Sequence, residues 1–229
     1  MTTTAPLAGS TDRVAGPGRA RWPLAATAAG ALGFVATLVL DGRNDVPAEV
    51  RFTDGFFDGL DPVVYRLSLV LGYAAVVMLL LLAAQWRRRV EPRVPASTAA
   101  PLVTFGLVSA AAGLTYGYGW KGALGLYLPD GAEGGAFDDA GLTTYFMLND
   151  FGSWIGWLGV VVAAAGIAWM GLRERTVSRW IGVVSVLPVL QTTAMVLGLG
   201  VPGVPALLAP LYLVVLGLGL TFGRSVVTR

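Results

Sequence analysis

The sequence predicts an all-α polytopic membrane protein, a six-transmembrane-helix bundle with its N and C termini cytoplasmic. Three observations carry this reading. Of 229 residues, 55% are hydrophobic and 13% charged, with a mean hydropathy of +0.68. A soluble domain carries about 25% charged residues, so this chain has too little polar surface to coat a water-soluble particle. Next, its uncharged runs reach the length that spans a bilayer. Last, its arginines collect at alternate ends of those runs.

A hydrocarbon core of about 30 Å needs about 20 apolar helical residues. Leu24 to Leu40 is a short charge-free run, bounded by Arg21 and Asp41. Its apolar stretch is longer than a usual signal-peptide core and no A-x-A site follows Leu40, so a retained helix is expected. Leu67 to Trp86 is uncharged and ends at Arg87, Arg88 and Arg89. Val94 to Trp120 follows, with Ser97 or Thr98 as N-cap and Pro101 in the first turn, where its missing N–H does no harm. Phe151 to Leu172 lies between Asp150 and Arg173. Trp180 to Gly223 is 44 residues long, about 66 Å as one helix and twice the membrane. It must fold back, and Gly200-Val201-Pro202-Gly203-Val204-Pro205 is the break. The expected spans are therefore about 23–40, 63–86, 97–118, 151–172, 180–199 and 204–222. They form one membrane domain over 22–223. A disordered cytoplasmic tail is expected over 1–21 and a short cytoplasmic C-terminus over 224–229. The runs lack apolar/polar alternation, which excludes a β-barrel.

Six spans put both termini on one side. Twelve of the 16 basic residues fall on that side, and the positive-inside rule makes it the cytoplasm. Eleven of the 14 acidic residues fall on the other, in 41–61 and 130–150. Trp22, Trp86 and Trp180 mark the expected inner interface, and Trp120 and Trp154 the outer one. In the first outer loop, Phe52, Phe56, Phe57 and Leu60 are expected to lie flat at the headgroups.

Missing residue types narrow the chemistry. There is no Cys and no His, so thiolate, imidazole-ligand and HExxH chemistry are excluded. The one lysine, Lys121, is read as part of a second outer loop beside a Gly-rich stretch, not mid-helix. No Walker A or dinucleotide loop is present. Basic residues cluster at span ends, which is membrane topology and not a nucleic-acid surface. No cofactor, no metal and no nucleic-acid partner is expected.

Candidate ligand-binding residues fall in three places. Gln191, Thr192 and Ser185 lie around Pro188 in the fifth span. They are read as interhelical hydrogen-bonding groups or the lining of a polar cavity. Asn149 and Asp150 precede the fourth span and are read as its N-cap, or with Lys121, Asp138 and Asp139 as an outer polar site. Arg66, one turn into the second span, is read as the only ionisable group within any of the spans, snorkelling or pairing with Asp58 or Asp61, or as an anion contact. Gly152-x-x-x-Gly156, Ala163 to Gly166, and the strip through Gly106, Ala110 and Gly113 give two spans small-residue faces. Such faces serve packing within the chain, a membrane protein partner, or a homo-oligomer.

Leu148-Asn149-Asp150-Phe151-Gly152-Ser153-Trp154-Ile155-Gly156-Trp157, followed by Arg179-Trp180-Ile181-Gly182, resembles a group of uncharacterised multi-pass membrane proteins from actinobacteria that share a domain of unknown function. The Lys-poor, Ala/Gly/Val/Arg-rich composition fits a high-GC bacterium. The resemblance implies a bacterial inner-membrane location and no particular activity. Three function classes follow: an accessory or interaction protein first, a small-solute or lipid-handling transporter or channel second, and a membrane enzyme third.

Overall fold

The computed structural model describes residues 20–41, 55–223, 225 and 227; the side chain of Asp150 lies outside this set. The expected tail lies outside it too, apart from its last two residues, as does most of the expected C-terminus and the part of the first loop that holds Phe52.

Every regular element among the described residues is helical. Helix α1 (Leu24–Phe34) runs into a π-helical turn, Val35–Val39. Helix α2 (Pro62–Arg89) opens with Asp61 Oδ1 accepting the Val63 N–H at 2.8 Å and Pro62 in its first turn. Its three closing arginines suit the negative end of the helix dipole. Helix α3 (Ala99–Tyr127) is capped by Ser97, whose Oγ accepts the Ala100 N–H at 3.1 Å. Helix α4 (Asp139–Ile155) breaks at Gly156 and Trp157 before α5 (Leu158–Trp169), which ends in a second π-helical turn, Met170–Glu174. Helix α6 (Arg179–Leu199) stops at Gly200, whose φ of 66° is left-handed backbone that glycine adopts without strain. Helix α7 (Pro205–Phe222) follows. By length and composition, five segments are able to cross a membrane: Pro62–Arg93, Ala99–Tyr127, Asp139–Glu174, Arg179–Leu199 and Pro205–Phe222. The Leu24–Val39 segment is shorter.

Three sequence expectations need correction. Helix α3 continues to Tyr127, so Lys121 is helical and not in a loop. Helix α4 begins at Asp139, ten residues before Asn149, so Asn149 and Asp150 are interior positions and no cap. The cap is Asp138, whose Oδ1 accepts the Gly141 N–H at 2.9 Å. Phe56, Phe57 and Leu60 are buried at 5% exposure or less and so do not lie flat at an interface. They pack with Leu124, Leu128, Leu142 and Phe146 as an aromatic cap on one end of the bundle. The Phe56 and Phe146 rings meet edge to face at 5.1 Å.

Helix α3 is central, packed against α2 on one side and α4 and α5 on the other, while α1 packs on α2 and α7. Glycines set these approaches. A Cβ on Gly106 would stand 2.6 Å from the Gly159 carbonyl oxygen and 2.7 Å from the Ala163 nitrogen. One on Gly117 would collide with the Gly152 backbone, and one on Gly113 would stand 3.1 Å from Gly156 Cα. The small-residue faces of α3 and α4–α5 thus meet each other within the chain. In lipid there is no hydrophobic force between apolar helices, so such close packing carries much of their association. At the arginine-rich end, Trp86 is buried and donates its Nε1–H to the Ala100 carbonyl at 3.0 Å, which makes it a packing residue and not an interface anchor. Arg93 Nη1 donates to the Val227 carbonyl at 2.7 Å, tying the C-terminal segment to the turn after α2.

Gly159→Ala forces the new methyl against the Ala110 backbone nitrogen and is expected to destabilise by about 1–3 kcal/mol. Gly198→Ala meets nothing and is expected to be neutral or to stabilise by up to about 1 kcal/mol. Thermal unfolding of the detergent-purified protein checks the pair; equal effects would contradict the packing described.

Candidate functional site

The last carbonyls of a helix have no intrahelical partners. In α1 that end falls inside the bundle, and side chains from α2 and α3 reach it. Ser68 Oγ donates to the Ala36 carbonyl at 2.6 Å. Lys121 Nζ donates to the same carbonyl at 2.9 Å and to the Leu40 carbonyl at 3.1 Å. Lys121 is fully buried, at 0% exposure. Arg66 is therefore not the only ionisable group within a helix long enough to span.

One turn deeper, Thr37 Oγ1 and Tyr118 OH share a 2.8 Å hydrogen bond. Trp157 Nε1 donates to the same Thr37 oxygen at 3.2 Å. The two rings are seated on glycines: a Cβ on Gly72 would enter the Tyr118 ring and one on Gly33 the Trp157 ring. Asp41, which follows Leu40, is also buried. On α4, Leu142, Phe146, Asn149 and Ser153 recur at helical spacing and are all buried. The Asn149 amide is 1% exposed, and neither its oxygen nor its nitrogen has a partner among the described residues. Thr37, Ser68, Tyr118, Lys121 and Trp157 thus form a hydrogen-bonded polar layer, and Asn149 and Ser153 continue the α4 face that Leu142 and Phe146 begin in the aromatic cap.

Four surface grooves stand out among the described residues. One, of about 890 Å³, runs between α3 and α4–α5 and is almost wholly apolar. Another, of about 360 Å³, places Arg66 with Asp58, Asp61 and Asp130 at the capped end. Two more grooves, of about 390 and 240 Å³, flank the Met170–Glu174 turn, at Trp169 and at Ser97 with Thr176.

The other sequence candidates are placed apart from the polar layer. Gln191 Nε2 donates to the Val204 carbonyl at 3.1 Å and contacts Met195 Sδ at 3.2 Å. Thr192 Oγ1 contacts the Gln191 amide oxygen at 3.5 Å. Ser185 Oγ donates to the Ile181 carbonyl at 2.7 Å and pairs with Tyr212 OH at 2.9 Å. These bonds tie α6 to the turn before α7 and to α7 itself. Asp138 and Asp139 are exposed while Lys121 is fully buried, and Asp150 occupies an interior position of α4. No family model, curated protein or solved structure matches the chain.

Sequence reasoning missed Thr37, Ser68, Tyr118 and Trp157. Their signal was weak: polar or amphipathic side chains scattered through apolar runs, where lipid offers no partner and another helix must, but where each run holds several such residues. Lys121 was legible as a residue but misplaced, because a lysine was taken to end a span.

As a chemical device the layer is a latch. It satisfies otherwise unpaired backbone carbonyls with a buried cation and joins the α1 segment, α2, α3 and the α4–α5 break through side-chain hydrogen bonds. Thr37→Val leaves the Tyr118 hydroxyl and the Trp157 N–H without their shared oxygen and is expected to destabilise by about 1–3 kcal/mol. Adding Tyr118→Phe removes one of the two orphans and is expected to recover part of that loss. A double-mutant cycle on unfolding midpoints checks this; strictly additive losses would contradict a shared hydrogen bond.

Proposed function

We propose that this chain is a six-span accessory protein of a bacterial cytoplasmic membrane, with both termini in the cytoplasm. It acts by contact with other membrane components and carries no solute or reaction of its own. The observation that carries this reading is how the buried polar groups other than the Asn149 amide are used. Lys121, Ser68, Thr37, Tyr118 and Trp157 bond to each other and to backbone carbonyls. A conducting pathway needs polar groups turned toward a lumen. Here the helices around that layer touch through glycine and alanine backbones. The arginine bias supports the orientation, and the Leu24–Val39 segment, buried against α2 and α7, is counted as the sixth span.

The chain has no cysteine, so single cysteines report topology without background. In intact cells, Glu133→Cys is expected to react with a membrane-impermeant maleimide and Arg88→Cys only after the membrane is opened. The reverse pattern would contradict the orientation.

Liposomes containing the purified protein are expected to leak protons and small anions no faster than empty ones. A flux above that baseline that Lys121→Met abolishes would overturn the accessory reading in favour of transport.

A further inference from the structure

We propose that the groove between α3 and α4–α5 holds one phospholipid with a primary ammonium headgroup, its acyl chain on the glycine floor and its headgroup against Asp139. The inference rests on the membrane reading alone and is independent of any accessory role.

The shape follows from the packing. Where α3 and α4 touch, Gly113, Gly152 and Gly156 contribute no side chains, so the contact leaves a trough. Bulky neighbours, among them Tyr116, Phe151 and Ile155, stand exposed along its sides. Its volume is about 890 Å³. Both walls belong to helices long and apolar enough to cross a membrane, so the groove opens onto lipid and its occupant comes from the bilayer.

The two ends of the groove differ. Toward the middle of the bundle it is apolar apart from Ser109. At the capped end it reaches Trp120, Thr143 and Thr144. An indole and two hydroxyls at one end match the depth where acyl chains give way to headgroups. Thr143 lies one turn below Asp139 on α4, and its Oγ1 donates to the Asp139 carbonyl at 2.7 Å. Asp139 is exposed. Residues 122–149 carry Asp130, Glu133, Asp138 and Asp139 and no lysine or arginine. A headgroup at this end therefore sits one turn from the acidic start of α4, while Arg66 lines a different groove, where Asp58, Asp61 and Asp130 surround it. An anionic phosphatidylglycerol headgroup is repelled there, and a bulky choline keeps its charge from a carboxylate that a primary ammonium reaches with hydrogen bonds.

Native mass spectrometry of the full chain, released from vesicles of phosphatidylethanolamine, phosphatidylglycerol and phosphatidylcholine in equal parts, tests this. The expected result is one retained phosphatidylethanolamine per chain, at least threefold over either competitor. Thr144→Trp fills the groove from an exposed position and is expected to cut retention at least threefold. Asp139→Lys is expected to move the preference to phosphatidylglycerol, and this exposed change leaves the packing untouched. Equal retention of the three lipids, retention unmoved by both substitutions, or a dimer that survives delipidation and shields Phe151 from labelling would each overturn the proposal. The third outcome would make a second copy of the chain the occupant. A chain that dissolves without detergent would instead defeat the membrane reading.

Discussion

The fold turns on what becomes of the carbonyls at the end of the first helix. Lipid provides no hydrogen-bond donors, so a helix that ends inside a bundle must find them on its neighbours. Lys121 supplies two of these bonds, to Ala36 and Leu40, and Ser68 supplies another to Ala36. A buried ammonium is expensive to desolvate, and several oxygen partners offset that penalty. The arrangement binds the shortest apolar helix to α2 and α3, and it stations a cation where a backbone defect needs one.

Around that latch, close helix approach does the rest. Glycines bring α3 against α4 and α5 at Gly106, Gly113 and Gly117, and the same residue type seats the Tyr118 and Trp157 rings at Gly72 and Gly33. The two devices are coupled, since Tyr118 and Trp157 reach one Thr37 oxygen only if their helices lie close. Small residues therefore serve the polar layer as well as the apolar core. They also shape the outside: a glycine seam that packs inward leaves a furrow along its lipid-facing edge.

The all-helical class and the five segments long enough to span were legible because span length is imposed by the bilayer itself. Legibility failed where a local rule competed with tertiary context. Lys121 was read as a boundary because isolated charges end spans, yet neighbouring helices shelter it. Asn149 and Asp150 were read as a cap because their side chains suit one, yet α4 had started at Asp138 with a residue of the same kind. Phe56 and Phe57 suited an interface equally well, and only the partner ring of Phe146 on a distant helix draws them inward. Of the site itself, the sequence showed Lys121 and Asn149 but not that Thr37, Ser68, Tyr118 and Trp157 converge near them. That convergence depends on helix rotation and register, which runs of nearly uniform hydrophobicity leave unspecified.

Because the chain has a single lysine, an amine-reactive ester reads the latch directly. The folded protein in detergent, treated with such an ester and mapped by peptide mass spectrometry, should show Lys121 unmodified until the protein is denatured and then fully modified. Stoichiometric modification of Lys121 in the folded state would contradict its burial against the first helix, and with it the account of how this bundle is held together.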